Sequence, residues 1–408
     1  MAKLKFGLIG CGAIATRNHV PGMEKVKDKA SITAMYDIVP EKARELAKKA
    51  GLKPKFCKSE EELFAAVDAV IIATPNNCHY PQTIRALKAG KHVLVEKPMS
   101  FTPEQADEMI DRAEKNGLIL QVNQSFRYIP LYVGLRQLIK DGLLGDIVAC
   151  RSQRAATQAP NKGWSPGADW FVDPKAEGSL VGDIAVHMAD MLQWVIDSPA
   201  KRILGLTRTR DHKVEDNVNA LMDFENGATG FLELSWTYPT AWWSIEFYGT
   251  KGTLKSIDGG FAFIPAGSTT ATKLYSADSF PAYPNSQECF VDAILNGGNQ
   301  NWDAGRKAIA LVTAIRESNA SGKAEEPRLR VEKKAAAKKA APAKKAAAKP
   351  AAKKAAPAKK AAAKPAAKKA APAKAVAKPA AKKAAPAKAA AKPAAKKAPA
   401  KKAAAKKK

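Results

Sequence analysis

Three groups of residues have the types and spacings that chemistry needs. The stretch His92-Val93-Leu94-Val95-Glu96-Lys97-Pro98 runs from apolar, strand-forming positions into a carboxylate and an amine. A buried strand that stops this way delivers both charges to its carboxyl end, where open parallel α/β sheets bind ligands. Asp183 and His187 lie four apart within the largely apolar run from Ser179 to Ile196. That spacing predicts a shared helical face, and a buried acid–imidazole pair is costly unless hydrogen-bonded or used. The pair suits a proton relay in which the carboxylate orients or tunes the imidazole. Its structural alternative is a core histidine capped by its own i−4 aspartate. The third group is Gly10-Cys11-Gly12-Ala13-Ile14-Ala15, set between the apolar run Leu4 to Ile9 and a helical pattern. It matches G-x-G-x-x-G/A: Gly10 permits the tight turn, Gly12 admits a pyrophosphate, and Ala15 lets the helix pack on the strand.

These groups need a scaffold, and the chain supplies one by alternation. Ser31 to Tyr36 reads as a second strand ending at Asp37. An acid there can bind both hydroxyls of an adenosine ribose and would repel a 2′-phosphate. Ile38 and Val39 follow it, with Lys42 and Arg44 a turn further on, so NAD is favoured over NADP. A plain helix N-cap before Pro40-Glu41 is the alternative for Asp37. Helices over Pro40 to Ala50 and Glu60 to Ala66 lead to an apolar strand, Ala69 to Ala73. That strand ends in Thr74-Pro75-Asn76, where the nicotinamide half of a cofactor would approach, and His79 opens the next helix as a secondary candidate. Helix Pro103 to Asn116 and strand Leu118 to Val122 complete a doubly wound parallel Rossmann sheet over residues 1–123.

Residues 124–330 follow another pattern. Helix Pro130 to Lys140 and strand Ile147 to Ser152 precede a loop, Ala159 to Pro174, that holds Trp164, Asp169 and Trp170. Loops of this length are often functional. Strands over Lys201 to Arg210, Asn217 to Glu225, Thr229 to Trp236 and Trp243 to Gly249 are separated by turn signals such as Asn226-Gly227. An α+β domain with a mainly antiparallel open sheet is expected, one face covered by helices and the other by a second subunit. Helices over Gln287 to Leu295 and Ala304 to Ser318 close it.

The charge is segregated. Residues 331–408 hold 27 lysines against Glu332 and so carry +26 of the net +28, which leaves a near-neutral body. This Lys/Ala/Pro tail, with prolines such as Pro342, Pro357 and Pro372 fifteen apart, cannot bury a core and is expected to be disordered. Its charge density favours sequence-independent nucleic-acid binding over a mere solubility device. Five cysteines without paired spacing fit reduced thiols in a cytoplasmic protein, one that the basic tail would associate with the nucleoid, and no His/Cys/Asp cluster suggests a metal. No apolar run approaches a membrane span, and the amino end enters a strand at once, with no signal-peptide pattern.

Taken in order, the glycine turn, Asp37, Ala73-Thr74-Pro75-Asn76 with His79, Ala89-Gly90-Lys91-His92 through Pro98, Asp183-(x)3-His187 and Phe247-Tyr248-Gly249-Thr250-Lys251-Gly252-Thr253 resemble the glucose–fructose oxidoreductase/inositol 2-dehydrogenase (Gfo/Idh/MocA) family over roughly Lys3 to Lys323. The resemblance implies hydride exchange between a nicotinamide and a carbinol carbon of a sugar, polyol or cyclitol, in a homodimer or homotetramer. It implies a catalytic set of Lys97, Asp183 and His187. Cofactor contacts would come from Gly10, Gly12, Ala13, Ile14, Asp37, Thr74, Pro75, Asn76, His79, Glu96 and Lys97. Arg127, Trp164 and Trp170 are substrate candidates. His187 is favoured as the direct acid/base, with Lys97 hydrogen-bonding the reacting oxygen; the reverse assignment stays open. Where the family often has three glycines, this chain reads Glu177-Gly178-Ser179. Two competing readings are a glycosidase that uses NAD transiently on the same scaffold, and a non-catalytic cofactor-bound nucleoid protein. Intact Lys97, Asp183 and His187 argue against the latter.

Overall fold

The computed structural model describes residues 3–297 and 302–330. The basic segment 331–408, with its expected disorder and nucleic-acid partner, lies outside the described residues.

The first sheet has six parallel strands: β1 (Leu4–Ile9), β2 (Ala30–Tyr36), β3 (Lys55–Phe56), β4 (Ala69–Ile72), β5 (His92–Glu96) and β6 (Leu120–Asn123). Their order, β3-β2-β1-β4-β5-β6, reverses between β1 and β4, which makes that crevice the binding edge of a doubly wound sheet. Strands β1, β4 and β5 are buried almost throughout, as parallel strands with covered faces must be. The helices are α1 (Val20–Glu24), α2 (Pro40–Lys49), α3 (Glu60–Ala66), α4 (Asn76–Lys88) and α5 (Pro103–Asn116). Local chemistry sets their ends. In α5 a Thr102/Gln105 capping box opens the helix, and Gly117 closes it with φ of 65°.

After α6 (Pro130–Lys140) comes an eight-stranded sheet: β7 (Ile147–Ala155), β8 (Ala200–Arg208), β9 (Asn217–Phe224), β10 (Thr229–Ser235), β11 (Trp242–Gly249), β12 (Gly252–Ile257), β13 (Gly260–Pro265) and β14 (Lys273–Ser276). Its order is β14-β13-β12-β11-β7-β10-β9-β8, antiparallel except for the β7/β10 pair. One face packs on α7 (Val186–Val195) and its neighbours. The other carries Leu204, Leu221, Phe231, Arg151 and Glu246 in cross-strand register.

The last helices, α8 (Ser286–Asn296) and α9 (Trp302–Ser321), differ from the expectation that they only close the second domain. Phe290 of α8 lies edge-on to Phe6 of β1 at 5.8 Å and is fully buried in the first sheet's core. Gly305 of α9 abuts Val122, and a Cβ there would fall 2.5 Å from it; Ile309 joins the core on the other side of the sheet. The same helix also covers β8. A helix with apolar positions all round must bury all of them, and α9 does so between the two sheets.

Phe290→Ala should therefore destabilise the protein by about 3–5 kcal/mol in chemical denaturation, as an emptied aromatic core site does. A loss below about 1 kcal/mol would mean that α8 does not complete the first sheet's core.

Candidate active site

The glycine turn is built for an anion. Gly10 follows β1 with φ of 86°, and a Cβ on it would fall 2.5 Å from the Ala73 carbonyl, so any side chain there would push β1 and β4 apart. A Cβ on Gly12 would meet nothing within 4 Å, so its backbone faces open space of the kind a pyrophosphate needs. Ala13 and Ile14, half-buried, carry the chain into a π-helical turn, Ala15–His19. At the end of β2, Asp37 is not the cap of α2: that position is Val39, which makes no side-chain bond. Its carboxylate accepts from the Cys11 N–H at 2.8 Å and the Val39 N–H at 2.9 Å, which ties it to the glycine turn. Arg44, one of the two cations that could have served a 2′-phosphate, is paired with Glu41 at 3.3 Å and lies over Phe56. These residues fit a dinucleotide.

After β4, the Thr74 hydroxyl donates to Gln82, and Pro75 leads into α4. Asn76 donates to the Glu177 carbonyl at 3.2 Å, reaching across to the second domain. His79 is buried with Nδ1 2.7 Å from the Pro98 carbonyl and Nε2 2.8 Å from the Thr74 carbonyl. Both nitrogens are taken, so His79 acts as a strut between the chain ends that follow β4 and β5.

Glu96 and Lys97 diverge at the end of β5. Glu96 turns inward: it accepts from His19 at 2.9 Å, Asn123 at 2.6 Å and the Lys97 N–H at 3.2 Å. Burial pushes this carboxyl up, but His19, Asn123 and the Lys97 charge outweigh that and hold it below the usual carboxylate range. Gln287 of α8 donates to His19 Nδ1, which leaves Nε2–H to face Glu96. His19, Asn123 and Gln287 had not stood out in the sequence. A polar residue such as Asn123 at the end of an apolar strand is the one signal that could have found them.

Lys97 turns to the second domain. Its Nζ donates to Asp183 Oδ1 at 2.8 Å and to the Asp183 carbonyl at 3.0 Å. An ammonium has three donors, so one remains. The Asp183 carboxylate thus serves Lys97, not His187. The reason is local: Val181–Ala185 is a π-helical turn, so residues four apart no longer stack. Asp183 Oδ2 is buried without a partner among the described residues, a cost of about 1–3 kcal/mol that functional sites tolerate.

His187, at the start of α7, is half-buried and stacks on Phe126, with ring centroids 4.9 Å apart. Neither of its ring nitrogens has a hydrogen-bond partner among the described residues. Burial, with the charges of Lys97 and Arg154, holds it well below its ordinary value, so it is neutral at physiological pH. A neutral imidazole can take a proton from a carbinol, and an anchored ammonium can donate to the same oxygen.

The substrate candidates separate. Arg127 forks onto Asp190 at 2.7 and 2.9 Å and lies over Trp194, so its bidentate edge and one face are committed to the fold. Trp164 lies under Arg17 and edge-on to Phe171, while Trp170 stacks on Phe171 at 3.8 Å. The aromatic loop thereby rests against the π turn of the first domain. Glu177 takes a left-handed conformation, φ 56°, where a glycine would be unstrained.

A dinucleotide cradle facing an anchored lysine and a neutral histidine defines an NAD(P)-dependent oxidoreductase. The comparisons narrow this: residues 4–124 match the oxidoreductase family with an NAD-binding Rossmann fold (GFO_IDH_MocA), and residues 132–255 match the GFO/IDH/MocA C-terminal domain. The chain belongs to the Gfo/Idh/MocA family. It is 29% identical over 335 residues to 1,5-anhydro-D-fructose reductase of Ensifer adhaerens, covering 79% of this chain and 98% of that one. It is 30% identical over 250 residues to D-glucoside 3-dehydrogenase of Escherichia coli K12, covering 57% and 70%. The fold matches that of a levoglucosan dehydrogenase in complex with NADH and levoglucosan, with a TM-score of 0.70 at 22% identity, over 80% of this chain and all of that one.

Because His187 is depressed below its usual range, oxidation should keep its full rate as pH falls through 6.5 and decline only below that. A plateau that breaks at or above 6.5 would contradict a neutral His187. Lys97→Met should lower kcat by about 10²–10⁴-fold while NADH still binds, as loss of a positioned donor does.

Proposed function

We propose that this protein oxidises a secondary carbinol of a sugar or cyclitol with NAD. The observation that carries the reading is Lys97, held at two points by Asp183 with its third N–H unbonded among the described residues, beside an imidazole kept neutral. The substrate hydroxyl donates its proton to His187, while Lys97 stabilises the developing alkoxide. When bound, the nicotinamide supplies the hydride acceptor. Sugar and sugar-derived substrates in the names of the relatives support the substrate class. The Asp37 carboxylate and the pairing of Arg44 with Glu41 support NAD over NADP. The test is a panel of sugars and cyclitols assayed for reduction of each cofactor. NAD should be preferred by at least about tenfold, and a preference for NADP would remove the role given to Asp37.

Two features outside the site belong to the same reading. Leu204, Leu206, Leu221 and Phe231 are each 42–47% exposed on the uncovered face of the second sheet. A second copy covering this face would give the homodimer or homotetramer. Phe231→Glu should then lower the oligomer order in sedimentation; an unchanged order would exclude this face. The basic segment 331–408 is proposed to hold nucleic acid by counterion release. Deleting it should abolish salt-sensitive DNA retention, and equal retention without it would end that proposal.

A further inference from the structure

Arg154 lies next to last in β7, flanked in register by Leu234 of β10 and Trp243 of β11. Alternation along β7 fixes where it points. Cys150 and Ser152 are buried on the helix-covered face, Leu234 beside it is buried in the same core, and Arg151 and Gln153 take the other face. Arg154 therefore points toward α7, where His187 begins. At this carboxyl end of β7 the cover stops. Arg154 is half-buried and the adjacent Trp243 is 57% exposed, so this end of the face is open to solvent.

Its surroundings are unlike those of the other arginines. Arg127 has Asp190, Arg136 has Asp197, Arg306 has Asp107 and Arg316 has Glu215; Arg17 has the face of Trp164. Among the described residues, Arg154 has no hydrogen bond, no carboxylate within 4 Å and no aromatic ring beneath it. Other charges near the site are balanced: Lys97 by Asp183, and Arg127 by Asp190. The charge of Arg154 reaches both His187 and the Tyr132 phenol, the two groups around Phe126. A partly desolvated guanidinium without a counter-ion is expensive, and its planar fork matches a carboxylate or a phosphate.

We propose that Arg154 binds an anionic substituent of the substrate, so that the protein acts on acidic sugars, bearing a carboxylate or a phosphate, in preference to neutral ones. This rests on the reading of Lys97 and His187 as the site of hydride exchange. The sugar's ring hydroxyl meets Lys97 and His187, while its acidic group meets the fork at the end of β7. Arg154 is thus a specificity-determining residue.

The test uses the full chain with NADH bound and sets of sugars differing only in charge: D-glucose, D-glucuronate and D-glucose 6-phosphate, with the corresponding galactose set. Binding is read by calorimetry, independently of turnover, and the uronate and phosphate arms tell which anion is recognised. The parent should bind at least one acid about tenfold or more tightly than its neutral counterpart. Arg154→Met should erase that preference, and Arg154→Lys should keep part of it. Equal binding of acid and neutral sugar, no binding of any acid, or a preference that survives in Arg154→Met would overturn the proposal. If the preference holds but no sugar is oxidised with NAD, the anion site stands and the proposed hydride exchange fails instead. A structural role for Arg154 would weaken all sugars alike and leave the ratio unmoved.

Discussion

The site depends on one ion pair between two sheets: Lys97 Nζ and Asp183 Oδ1, 2.8 Å apart and largely shielded from water. Lys97 ends β5 of the parallel sheet, and Asp183 sits in the turn that opens α7 over the other sheet. Such a pair is weak support for stability, because desolvation offsets much of the Coulomb gain. Its effect is geometric. It fixes a flexible four-carbon amine at one point, facing a histidine that burial, with the charges of Lys97 and Arg154, keeps neutral.

Two π-helical turns make this possible. The first, Ala15–His19, directs His19 inward to Glu96; the second, Val181–Ala185, directs Asp183 to Lys97. Each widens a helix by one residue at the point where the domains meet. Glu96 and Lys97, adjacent in the chain, are consequently drawn to opposite partners: Glu96 into a buried network that includes Gln287 of α8 through His19, and Lys97 into the site. Asn76 and Trp164 add further ties between the domains, so the cofactor cradle and the substrate side are held as one assembly.

Much of this was legible in the residues. Strand alternation and the glycine turn specified the parallel sheet, because fully apolar strands and positive-φ glycines have few other uses. Strands β7 to β11 of the second sheet were equally clear, as was its open face, whereas the shorter β12, β13 and β14 were not distinguished. Lys97, Asp183 and His187 could be singled out, but how they pair could not. The Asp183–His187 expectation assumed 3.6 residues per turn, and a single π turn breaks that assumption without a mark in the composition. His19 and Gln287, 268 residues apart, meet only because α8 returns to the first sheet. Arg154 was invisible for a related reason. An arginine at a strand end reads as solvent-exposed until the fold shows which face it is on and that no carboxylate among the described residues pairs with it.

Asp183 anchors Lys97 and takes no part in tuning His187. The direct measurement is the pH profile of kcat for sugar oxidation by Asp183→Asn. If Asp183 acts only by anchoring, the rate falls at every pH and the acid limb stays where it lies in the parent or moves to higher pH, as the unanchored Lys97 charge recedes from His187. If the carboxylate instead stabilised the imidazolium, its loss would lower the histidine's pKa and carry the acid limb to lower pH. That displacement would contradict the pairing on which the site is built.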